Sequence, residues 1–148
     1  MRIAARVSGV LLLCLSACVS PPSIGRVPSV DPQVAAEVVV IRNSSGAHEE
    51  RMLTLDGQAI ATLPRGGYTR FAVQPGAHWL GVGCPEALQL NWTDKHRTLL
   101  ADPRTTYYFL IAAAPACANI EPMTEAQAQV LMSQSKYRPI ITHAGQAS

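Results

Sequence analysis

Between Ala36 and Ala114 the chain is broken every few residues by glycine, proline, asparagine or aspartate. The pieces between the breakers are short, apolar and rich in β-branched or aromatic side chains. Runs of that length suit strands rather than core helices, so the spacing predicts an all-β domain, mainly an antiparallel β-sandwich. The expected strands are "AEVVVIR" (36–42), "RMLTL" and "QAIATL" either side of Asp56-Gly57, "ALQLNW" (87–92), "RTLLA" (97–101) and "TTYYFLIAAA" (105–114). Asp-Gly favours a type I′ turn because both central residues need positive φ. That turn would pair Leu53 with Ile60 and Leu55 with Gln58, leaving Met52, Thr54, Ala59 and Ala61 on the other face.

"GGYTRFAVQPGAHWLGVG" (66–83) reads as a second hairpin around Pro75-Gly76, where proline fixes φ and glycine takes the positive φ that follows. Pairing around that turn sets Phe71 opposite Leu80 and Thr69 opposite Val82, on one face with Val73 and His78. Tyr68, Arg70, Ala72 and Trp79 then share the other face, which is read as surface because an unpaired buried Arg70 would be costly. Tyr68, Arg70 and Trp79 would make an amphipathic strip fit for a sugar ring, a peptide strand or a partner protein. The alternative is a second sheet covering this face, with Trp79 as sandwich core. In "MTEAQAQVLMSQSKY" the period changes to helical. Thr124 and Gln127 form a capping box, and Val130 and Leu131 are expected to pack a helix over roughly 124–134 onto the sheet.

The N-terminal stretch has a different character. Arg2 and Arg6 precede about a dozen apolar or small residues, where a bilayer span needs roughly 20, so residues 1–17 read as a signal peptide. Leu15-Ser16-Ala17-Cys18 resembles the bacterial lipobox, which implies that Cys18 is acylated (diacylglyceryl, palmitate-type chains) and becomes the mature N-terminus. The plainer reading is an ordinary cut site with Cys18 as one of its small residues. By analogy with Gram-negative lipoprotein sorting, Val19 rather than aspartate after the cysteine implies the periplasmic face of an outer membrane. The Pro- and Ser-rich residues 18–35 form a lipid-anchored tether, 36–139 the sandwich domain, and 140–148 a loose tail.

Removing Arg2 and Arg6 takes Lys+Arg from 12 to 10 against 10 Asp+Glu, a formally neutral mature chain. Nothing in that balance attracts nucleic acid. Cys84 and Cys117 remain, an even pair in an exported protein, and read as one disulfide. A free thiol pair, or metal ligation with His78 or His96, is the alternative.

The order "LDGQAIATLPRGGYTRFAVQPGAHWL" resembles the bacterial lipoprotein family described as domain of unknown function 2846. Asp56, Gly57, Leu63, Gly67, Tyr68, Pro75, Gly76 and His78 carry the likeness, and the Tyr107-Tyr108 strand and "SKYRP" (135–139) fit the same outline. The P-G-x-H stretch is also similar to the PEGA-type module, a small β-sandwich. Neither resemblance supplies a catalytic residue, and neither includes the Cys84/Cys117 pair.

Chemistry needs an acid, base or nucleophile held near another group. His78 is read as a turn histidine capping a backbone carbonyl, with a ligand role as the alternative. His96 is read as solvated, and His48 beside Glu49 and Glu50 as part of a polar loop rather than a weak metal site. No zinc-protease, nucleophile-elbow or phosphate-loop motif is present. The expectation is a non-catalytic envelope lipoprotein without cofactor or metal, binding another envelope protein or glycan. The alternatives are a structural accessory of a secretion or assembly machine and, third, an envelope hydrolase.

Overall fold

The computed structural model describes residues 29–46, 48–83, 95–114 and 118–138. Among the described residues nine strands and one helix follow in chain order: β1 (Ala36–Arg42), β2 (Arg51–Leu55), β3 (Gln58–Leu63), β4 (Gly67–Val73), β5 (Gly76–Gly83), β6 (Lys95–Ala101), β7 (Thr106–Ala113), β8 (Ala118–Met123), α1 (Glu125–Ser133) and β9 (Lys136–Tyr137). They form a five-stranded sheet, β8-β7-β1-β4-β9, and a four-stranded sheet, β3-β2-β5-β6. The expected all-β class with one short C-terminal helix is what the chain adopts. Pairing is mostly antiparallel, with β1 parallel to β7 and β4 parallel to β9.

The sheets face each other through Val38, Val40, Phe71, Val73 and Phe109 on one side and Leu53, Ile60, Leu63, Leu80 and Val82 on the other. β1 is apolar at successive positions because it is covered twice. Val38 and Val40 face the sandwich, while Val39 and Ile41 meet Ala128 of α1 on the outer face. The buried stripe of α1 is Ala128, with Leu131 and Met132 packed beside it. Val130, expected to pack, is 59% exposed instead. Ala128 serves because a side chain without extension lets the helix backbone approach the sheet, and Leu131 and Met132 follow it at helical spacing. The capping box between Thr124 and Gln127 is present in both directions.

The Asp56-Gly57 turn has φ of 51° and 80°, as a type I′ turn requires, and Leu55 pairs with Gln58. Beyond Thr54–Ala59 a bulge intervenes, so Leu53 pairs with Ala61 and not with Ile60. The extra residue turns Ile60 into the core without expelling Ala61 or Leu63.

The second hairpin does not form. β4 pairs with β1 and β9, and β5 with β2 and β6, so Gln74–Gly76 is a corner carrying the chain from one sheet to the other. Gly76 takes φ of 133°, a region open to glycine. Phe71 and Leu80 are both buried as expected, but they belong to opposite sheets. Two strands were missed, β8 and β9. β8 holds Pro122, which suits only an edge. The expected strand 87–92 and the tail 140–148 lie outside the described residues. Packing also begins before Ala36: Asp31 caps a turn over residues 32–34, and Val30 lines a small cavity with Leu55, Val73 and His78.

One core group works against the fold. The Thr69 hydroxyl is fully buried and makes no hydrogen bond. Thr69→Val, nearly the same shape without the orphan, is expected to raise unfolding free energy by about 1 kcal/mol, read from the midpoint of a urea titration. A lower midpoint would mean that the hydroxyl is satisfied in solution.

Candidate functional site

The corner places Trp79 on the outer face of the four-stranded sheet. Tyr68 and Arg70 lie on the outer face of the five-stranded sheet, the opposite side of the sandwich. Tyr68, Arg70 and Trp79 therefore do not share one surface, and the expected strip does not form. Tyr68 packs beside the helix cluster with its ring centroid 5.3 Å from that of Tyr137. Arg70 stays at the surface, 3.8 Å from the Glu37 carboxylate.

Trp79 is not sandwich core either, being 62% exposed. It pairs with Thr98, while Ala77 pairs with Leu100, so Leu100 is the diagonal neighbour of Trp79 on the same face. Leu100 is 69% exposed. His96 stands on the other diagonal, its ring centroid 6.3 Å from the indole. Leu100, Trp79 and His96 thus run in a row, with Leu100 nearest the corner. Leu100 was not singled out from sequence. Its two-residue spacing from Thr98 and His96 marks the face, but not that the face is bare.

His78 is held at both nitrogens. Nδ1 lies 2.8 Å from Asp56 Oδ2, and Nε2 lies 2.7 Å from the Gln74 carbonyl, so the ring does cap a carbonyl. Asp56 Oδ1 accepts the Trp79 N–H at 2.8 Å, which fastens the β2–β3 turn to the corner. Burial by itself lowers the affinity of the ring for its second proton. The hydrogen bond to Asp56, the Gln74 carbonyl and the Asp56 charge outweigh this and hold the His78 pKa above its ordinary 6.5. Both ring nitrogens are engaged by these two acceptors, so the hydrogen bonds leave neither turned towards a metal or a substrate.

His48 lies against Arg65, whose Nη1 is 3.1 Å from Nε2. Among the described residues no three His, Cys, Asp or Glu side chains come together as metal ligands would. Cys18, Cys84 and Cys117 fall outside the described residues, as do the tether up to residue 28 and Trp92. No helix among the described residues is long and apolar enough to cross a membrane.

On the far side of the sandwich a groove of about 450 Å³ runs between α1 and the β7–β8 edge. Leu110, Pro122, Met123 and Val130 line it, and Glu121 and Gln127 supply its polar groups. Among the described residues β8 pairs with β7, and Glu121, Pro122 and Met123 of β8 line the groove.

The fold and these surfaces define a β-sandwich with one docked helix, an open groove on one face and an exposed aromatic row on the other. No protein-family model matches the chain, and no curated protein matches its sequence.

Proposed function

We propose that the protein is a non-catalytic envelope lipoprotein, related to the family its Asp56–His78 stretch resembles. It is tethered through Cys18 to the periplasmic face of the outer membrane and binds an extended segment of another envelope protein. The groove between α1 and β8 carries the binding half of this reading. An extended segment laid in the groove finds apolar contacts at Leu110, Met123 and Val130 and polar groups at Glu121 and Gln127, as apolar-groove recognition of a peptide requires. Glu121 at the rim favours a basic residue in that segment. The lipobox residues Leu15–Cys18 support the anchoring half, and Cys84 and Cys117 are proposed to close one disulfide.

A photo-crosslinking residue at position 130 in the full chain in its native cell is expected to give one discrete protein adduct, lost on Leu110→Glu. A glycan adduct, or none, would overturn the protein-binding reading. Cys18→Ser is expected to move essentially all of the protein from the membrane to the soluble fraction, because without acyl chains little hydrophobic attachment remains. Unchanged membrane retention would overturn the anchor.

A further inference from the structure

We infer that the Trp79–Leu100 face docks on the bilayer surface, so that the sandwich lies against the membrane and its groove faces away from it. The inference rests on the proposed anchor at Cys18 and goes beyond it by fixing how the domain sits. Four connections share one end of the sandwich. They are the entry into β1, the Asp56-Gly57 turn, the Gln74–Gly76 corner and the turn after Ala101. Ala36 pairs with Val73, Gly76 with Ala101, and the Arg104 N–H reaches the Ala35 carbonyl. The chain arrives at this end, where Val30 shares a small cavity with Asp56 and His78. Eleven residues separate Val30 from Cys18, about 40 Å of fully extended chain. An acyl chain on Cys18 therefore keeps this end of the domain, rather than the opposite one, within about 40 Å of the headgroups.

The exposed row is ordered as such a surface requires. Leu100 lies nearest the confined end, the amphipathic Trp79 next and His96 beyond it. Tryptophan concentrates at the depth where hydrocarbon gives way to headgroups, and leucine reaches below it. The acids at this end are engaged internally. Asp56 is bonded to His78, and Asp102 Oδ2 accepts from the Tyr107 hydroxyl. The groove belongs to the other outer face and stays open to the periplasm.

The test uses the full acylated chain with Trp92→Phe, incorporated in phosphatidylethanolamine–phosphatidylglycerol vesicles whose acyl chains are brominated near the glycerol. Docking is expected to quench Trp79 emission roughly two-fold relative to unbrominated vesicles, from the depth of the aromatic belt. Leu100→Lys should remove most of that quenching while the protein still floats with the vesicles. If Trp92→Phe fails to fold, the difference between the wild-type chain and Trp79→Phe gives the same reading. Flotation with Trp79 open to aqueous iodide and indifferent to bromine overturns the docking and leaves the anchor standing. Failure to float overturns the anchor, and the docking with it.

Discussion

Substitution of Arg42 by alanine is expected to lower the unfolding free energy by about 3 kcal/mol, because it removes a buried cation from two backbone carbonyls, one of them fully buried. Arg42 ends β1 and is only 3% exposed. Its Nη1 donates to the Glu49 carbonyl at 2.6 Å and to the Leu63 carbonyl at 2.8 Å. The first of these belongs to the loop entering β2 and the second ends β3. One guanidinium thus holds the five-stranded sheet to the end of the β2–β3 hairpin. Arg42→Lys keeps the charge but presents a compact ammonium, and should recover only part of the loss. Arg42→Met keeps most of the volume and none of the donors. If it proves as stable as the parent chain, the side chain contributes packing alone. Urea titrations of the three variants decide between these outcomes.

Nothing in the pattern of "AEVVVIR" marks its final arginine as buried, and the reason extends to the rest of the fold. Alternation along a strand reports which side chains point inward, because that periodicity is local. Thr69, Phe71, Val73, Leu80 and Val82 are accordingly all buried as the alternation requires. It does not report which strand lies alongside. Phe71 and Leu80 satisfy the same pattern as neighbours in a hairpin or as residues meeting from opposite sheets. For the core the two arrangements are equivalent. For the outward residues they are not, since the hairpin would gather Tyr68, Arg70 and Trp79 and the corner parts them. The Asp56-Gly57 turn was legible because its backbone conformation is dictated by the two residues themselves. The Ile60 bulge was not, since it answers to packing against the facing sheet. Thr124 and Gln127 likewise announced the start of α1, whereas the identity of its buried stripe depended on where β1 lay. The candidate surfaces follow the same division. The alternation left Trp79 open between surface and sandwich core, and its exposure, its companion Leu100 and the groove beside β8 arise from strand order, which local pattern does not encode.

Asp56→Ala is expected to cost about 3 kcal/mol, the sum of a left-handed backbone imposed on alanine and the loss of a charge-assisted hydrogen bond, the latter discounted for partial exposure. Asp56 sits at φ of 51°, accepts from the Trp79 N–H and faces the His78 ring. Asp56→Gly separates the contributions, since glycine tolerates the backbone and loses only the carboxylate. The same latch makes stability depend on pH with a definite sign. The folded His78 pKa lies above 6.5, the value taken for the unfolded chain, so the native state binds the proton more tightly than the unfolded state does. The stabilisation is complete below 6.5 and is lost as pH rises from there through the folded pKa. Deprotonation leaves one proton for two acceptors, and either the Asp56 carboxylate or the Gln74 carbonyl goes without a donor. Urea midpoints of the parent chain should therefore fall over that window, and those of His78→Gln should fall less. Equal slopes would show that the pH dependence belongs to other groups and that His78 does not latch the corner to the Asp56-Gly57 turn.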